Sequence, residues 1–74
     1  MITIYKTKHC SYCVMVAKYL TMKKQEFTEV YVDDDHDKRL ELQKLTGATT
    51  VPITIKGDKW VIGYNIRQLN SLIQ

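Results

Sequence analysis

The spacing of apolar residues changes period once near the N-terminus, and a pair of cysteines sits on the change. Ile2-Thr3-Ile4-Tyr5 alternates with period two, the mark of a half-buried strand. A polar turn over Lys6 to His9 follows. From Ser11 onward Cys13, Val16, Ala17 and Leu20 fall on one helical face, with Lys18 and Lys23 turned away from it. Cys10-Ser11-Tyr12-Cys13 therefore opens a helix directly behind a strand. Phe27 to Val32, rich in β-branched and aromatic residues, reads as a second strand, and two strands joined through a helix make a right-handed βαβ unit.

The remainder of the chain completes a β-α-β-α-β-β-α order. Asp33, Asp34, Asp35 and Asp37 precede a helix ending near Thr46, with Lys38, Arg39 and Lys44 further along it and Gly47 just past its end, a charge order that suits the helix dipole. Its apolar stripe is thin: Leu42 and Leu45 share a face and Leu40 lies off it. Pro52 opens Ile53-Thr54-Ile55, a third strand. The pair Gly57-Asp58 turns the chain into Trp60-Val61-Ile62, a fourth strand that pairs antiparallel with the third. After Gly63, residues Ile66, Leu69 and Ile73 fall on one helical face. The expected architecture is α/β, a four-stranded mixed sheet flanked by three helices.

With 74 residues the chain makes one domain, residues 1–74, and 45% hydrophobic with 26% charged residues is ordinary for a globular protein. No apolar run is long enough for a signal peptide or a membrane span. Two cysteines without an export signal point to a reducing, cytoplasmic compartment, where a redox-active or metal-binding pair is expected over a structural disulfide. A net charge of +3 spread over scattered lysines and arginines lacks the dense basic stripe of a nucleic-acid binder.

At a helix start the first cysteine of a CxxC pair meets unpaired backbone N–H groups and the positive end of the helix dipole, and both favour the thiolate that attacks disulfides. Lys6 and Lys8, flanking the motif, would act in the same direction. Cys13, one turn further along on the core-facing side, suits a resolving role. A zinc site would need two more ligands; the only histidines are His9, adjacent to Cys10, and His36, in the acidic turn, so no metal site is expected. Thr50-Val51-Pro52 is the second notable segment. Proline lacks an N–H, and a cis bond would free the preceding backbone to pair with an extended substrate; an ordinary trans proline at a strand edge is the alternative.

Taken together, Ile4-Tyr5 ahead of the nucleophile, Cys10-Ser11-Tyr12-Cys13, Thr50-Val51-Pro52 and Ile62-Gly63 before the last helix resemble the glutaredoxin family of the thioredoxin superfamily, over essentially all 74 residues. The resemblance implies a thioredoxin-like fold and thiol–disulfide oxidoreductase activity, with Cys10 attacking and Cys13 resolving. It implies a cis Pro52 facing Cys10, backbone pairing of substrate with Val51, and Tyr12 lying over the motif.

Two branches of the family differ in reductant. Those reduced by glutathione hold it with a lysine three residues before the nucleophile, the Thr-Val-Pro segment and a Gly-Gly-x-Asp-Asp stretch. Here Thr7 stands at the first position, and the last stretch reads Gly63-Tyr64-Asn65-Ile66, without the acidic pair that would bind the glutamyl end of the tripeptide. NrdH-type redoxins instead take electrons from thioredoxin reductase and serve a ribonucleotide reductase. Their Trp-Ser-Gly-Phe signature resembles Trp60-Val61-Ile62-Gly63-Tyr64, with one residue more between the tryptophan and the glycine. Trp60 reads equally as a strand residue capping the core or as a partner contact. The resemblance thus implies a monomeric dithiol carrier for protein disulfides with no tightly bound cofactor, recharged by thioredoxin reductase; glutathione is the alternative reductant. Ser11 stands where proline is commoner, and in some glutaredoxins that change accompanies a shared iron–sulfur cluster, so a metal or cluster carrier is the further alternative.

Overall fold

A computed structural model describes residues 1–74. Strand β1 (Ile2–Lys6) leads to helix α1 (Ser11–Met22), β2 (Phe27–Tyr31), α2 (His36–Thr46), the hairpin β3 (Ile53–Lys56) and β4 (Lys59–Ile62), and finally α3 (Ile66–Ile73). The sheet runs β2-β1-β3-β4. The β1–β2 pair is parallel, as a βαβ crossover requires, and the other two pairs are antiparallel. This is the expected order and the thioredoxin-like arrangement of a mixed four-stranded sheet with three helices.

Alternation along β1 sorts the core into two. Ile2 and Ile4 face α1 and α3, where they pack with Val16, Tyr19, Leu20, Val61, Leu69 and Leu72. Tyr5 faces the other way, onto a smaller group of Val32, Leu42 and Ile53 beneath α2. Each helix starts with a side chain that accepts an orphan backbone N–H: Asp35 accepts from Lys38 at 2.9 Å and Asn65 from Gln68 at 3.1 Å. Helix α2 ends at Gly47, whose φ of 78° is the left-handed conformation that stops a helix.

Four expectations change. Lys6 ends β1 instead of beginning the turn, because its backbone is held by the neighbouring strand: Val32 donates to the Lys6 carbonyl at 2.8 Å. Leu45 is 52% exposed, so Leu42 alone anchors α2. Of the stripe read in the sequence, Leu69 is buried and Ile73 packs against the core, but Ile66 is 50% exposed and Leu72 is buried in addition. Trp60 stands on the edge strand, more than a third exposed, so it is no core cap.

Candidate functional site

Cys10 is the N-cap of α1. Its backbone is extended, with φ −137° and ψ 103°, and its Sγ accepts the Cys13 N–H at 3.2 Å. A sulfur thus takes the place that serine or aspartate oxygen fills at most helix starts. Cys13, inside the first turn, is 0% exposed and shares the inner face of α1 with Val16 and Leu20, whereas Cys10 stays partly open to solvent. The two are joined as a disulfide with Cα atoms 5.3 Å apart, within the ordinary range for such a bond. The turn before Cys10 is anchored from outside the helix: the Lys8 N–H donates to Asp33 Oδ1 at 3.0 Å, tying it to the end of β2.

An open groove runs over this sulfur. Thr7, His9, Cys10, Ser11 and Tyr12 line it from the start of α1, and Thr49, Thr50 and Val51 with Arg39 of α2 line it from the other side. The Val51–Pro52 peptide is cis. Pro52 is buried behind Val51, and its carbonyl accepts the Gly63 N–H at 2.8 Å, which fastens this segment to the end of β4. A cavity of about 190 Å³ opens off the groove beneath α2, shares Arg39 and Thr49 to Val51 with it, and is floored by Val32, Leu42 and Ile53.

The structure therefore brings Cys10, Tyr12, Thr50 and Val51 together, with Cys13 and Pro52 bonded directly behind them and Gly63 held to Pro52, and sets Lys6, Lys8 and Tyr64 apart from the groove. Lys6 faces the α1 side of the sheet, where its ammonium bonds the Glu29 carboxylate and lies 5.3 Å from the centre of the Tyr31 ring; its charge is spent there and not on the groove. Lys8 is exposed and enters through its backbone alone. Tyr64 lies against the core under α1 and α3, not over Cys10. The cation that does line the groove is Arg39, which makes no ion pair, and no carboxylate lines the groove with it. Arg39 reads in the sequence only as a base suiting the α2 dipole. Its arrival beside Thr49 to Val51 depends on how α2 packs over the sheet, which leaves no local signature. Thr49, next to Thr50, was within reach of sequence reasoning. No three histidine, cysteine, aspartate or glutamate side chains are grouped to hold a metal ion.

The fold that carries this site recurs in known proteins. The glutaredoxin family model matches residues 2–61. The chain belongs to the glutaredoxin family. A glutaredoxin-like 8.6 kDa protein of the rubredoxin operon of Clostridium pasteurianum is 32% identical over 74 residues, covering 100% of this chain and 99% of that one. Among solved structures, a glutaredoxin of Archaeoglobus fulgidus superposes with a TM-score of 0.89 at 26% identity, over 99% of this chain and 85% of its own. The glutaredoxin-like NrdH-redoxin of Escherichia coli superposes with a TM-score of 0.80 at 25% identity, over 96% of this chain and 92% of its own. The glutaredoxin fold is thus common ground between this chain and both kinds of relative, and in this chain it carries the CxxC pair Cys10 and Cys13. No helix of this glutaredoxin-family chain is long and apolar enough to cross a membrane.

Proposed function

We propose that this chain is a dithiol carrier that reduces protein disulfides, such as that of a ribonucleotide reductase, and that thioredoxin reductase recharges it. The observation that carries the reading is the inequality of the two sulfurs: Cys10 caps α1 and opens on a groove, while Cys13 is sealed behind it. In the reduced protein the N–H groups at the helix start and the positive dipole end favour thiolate at Cys10. Arg39 adds a positive charge to the same groove.

The exchange balances in two steps. Cys10 thiolate attacks one sulfur of the substrate disulfide, forming a mixed disulfide and expelling the other sulfur as a thiolate, which takes a proton from solvent. Cys13 then loses its proton and attacks Cys10 Sγ; the second substrate sulfur leaves, and the Cys10–Cys13 disulfide remains. Two electrons have passed to the substrate. NADPH, through the reductase, returns two electrons as a hydride, and with a solvent proton both thiols are restored. The backbone of Val51 pairs with an extended substrate segment in this reading, which its position lining the groove supports.

Three features favour thioredoxin reductase over glutathione: Thr7 where a glutathione-binding lysine is usual, the absent acidic pair after Gly63, and a length close to that of the Escherichia coli NrdH-redoxin. The test is a pair of NADPH-coupled assays with insulin as substrate, one driven by thioredoxin reductase and one by glutathione with its reductase. Turnover with the first and little with the second is expected; efficient turnover with glutathione alone moves the chain to the other branch. Cys10→Ser should abolish reduction, and persistent activity in that variant would sink the role assignment. Visible absorption by freshly purified protein would instead favour a cluster carrier.

A further inference from the structure

A second groove, of about 770 Å³, lies between α1 and α3, and the chemistry proposed above makes no use of it. Its apolar lining includes Met15, Met22 and Ile66, respectively 41%, 67% and 50% exposed. Single exposed apolar residues are unremarkable, but here three lie in one depression, and methionines accommodate partners of varied shape. The floor is built in advance: the buried Tyr19 donates its hydroxyl to Asn70 Oδ1 at 3.5 Å, joining the two helices. Lys18, Lys23 and Arg67 rim the depression, and no carboxylate does.

The groove shares no lining residue with the cysteine groove but lies along the same helix. Tyr12 lines the cysteine groove, and Met15, Tyr19 and Met22 follow it at helical spacing on the same side of α1. From Cys10 to Met22 the helix rises about 18 Å, a distance that roughly six extended residues cover. A segment leaving the disulfide under attack therefore reaches the whole depression.

We infer that this groove is a second contact surface for the protein whose disulfide is exchanged, and that it takes a segment in which apolar residues alternate with carboxylates. The apolar side chains fill the depression, and the carboxylates meet the three cations at its rim. The inference rests on the redoxin reading and adds to it the partner's chemistry.

The test uses prereduced protein in single-turnover reactions with synthetic peptides, each carrying the same small disulfide loop and a tail of about ten residues. One tail alternates Leu and Glu, one Leu and Lys, one Ser and Gly. The Leu/Glu peptide should react roughly tenfold faster than the Ser/Gly peptide at low salt, with the advantage shrinking as salt rises. The Leu/Lys tail should give no advantage. The variant K18E/K23E/R67E should lose the Leu/Glu preference and keep its rate with Ser/Gly, and Met22→Ser should reduce the preference. Equal rates for the Leu/Glu and Ser/Gly peptides, or an undiminished preference in the triple variant, overturns the inference. So does sedimentation of the protein with phosphatidylglycerol vesicles in preference to peptide binding, which would make the face a lipid-binding one. A labelled Leu/Glu peptide without cysteines separates the two readings: binding that the triple variant abolishes, without reduction of any disulfide peptide, would keep the surface and remove the redox function.

Discussion

On one side of the sheet α1 and α3 cover eight buried apolar residues, and on the other α2 covers three, only one of which it supplies itself. Burial of apolar area is the main source of stability, so the first side holds the molecule together while the second is held by it. The division matches the two walls of the cysteine groove. Cys13 and the helix start that positions Cys10 belong to the thick side. Thr49 to Val51 and Arg39 belong to the thin one, where exposed Leu40 and Leu45 show how little of α2 is packed. The helix start that holds Cys10 is thus thickly packed and the segment facing it thinly packed, an arrangement that, under the proposed function, would let the facing side adapt to both an oxidised substrate and a reductant.

The comparison is broken most directly by emptying each side in turn. Leu20, 0% exposed at the centre of the thick side, should cost about 4 kcal/mol as Leu20→Ala, because surrounding helices and strands cannot collapse into the space. Leu42→Ala should cost about 2 kcal/mol, the low end of the same range, since α2 can settle onto the sheet. Urea denaturation of both variants checks the order; equal losses would show that the thin side is as structural as the thick one.

The same asymmetry explains what could be read from the residues alone. The β-α-β-α-β-β-α order was legible because each strand has a clean alternation or a β-branched run and the connections after α2 carry Gly47, Pro52, Gly57 and Gly63, while those before it are marked by polar runs. The cysteine pair was legible because its chemistry depends on a local fact, the start of a helix. What escaped reading lies where packing, not local pattern, decides. Lys6 stands close to Cys10 in sequence, yet strand alternation points it at Glu29. Arg39, far from Cys10 in sequence, is carried to the groove by α2. Ile66 and Leu45 fit an apolar stripe, but only the packed structure says which residues of a stripe go inside.

A smaller effect sharpens the contrast by loosening α2 without touching its core. Asp35 accepts the Lys38 N–H at the helix start, and Asp35→Ala should cost about 1 kcal/mol. Because α2 has a single buried anchor, the loss should be local: hydrogen exchange should speed up in the amides of α2 and leave α1 unchanged. In disulfide exchange KM should rise while kcat holds, since the substrate wall moves and the sulfurs do not. A uniform rise in exchange across α1 and α2 would mean that the two sides unfold as one unit.

The last contrast has the opposite sign. Thr54 pairs with Ile4 and Val61 in the centre of the sheet, so its side chain points into the thick side, where it is 0% exposed and its hydroxyl has no hydrogen-bond partner. A buried polar group left unpaired destabilises the folded state, whereas a methyl group of similar shape adds to the core. Thr54→Val should therefore stabilise the protein by about 1 kcal/mol, visible as a higher melting temperature, with rates of disulfide exchange unchanged because Thr54 lines neither groove. If stability fell instead, the hydroxyl would have to be satisfied in solution by an internal water, and the thick side would carry a polar point within its otherwise apolar packing.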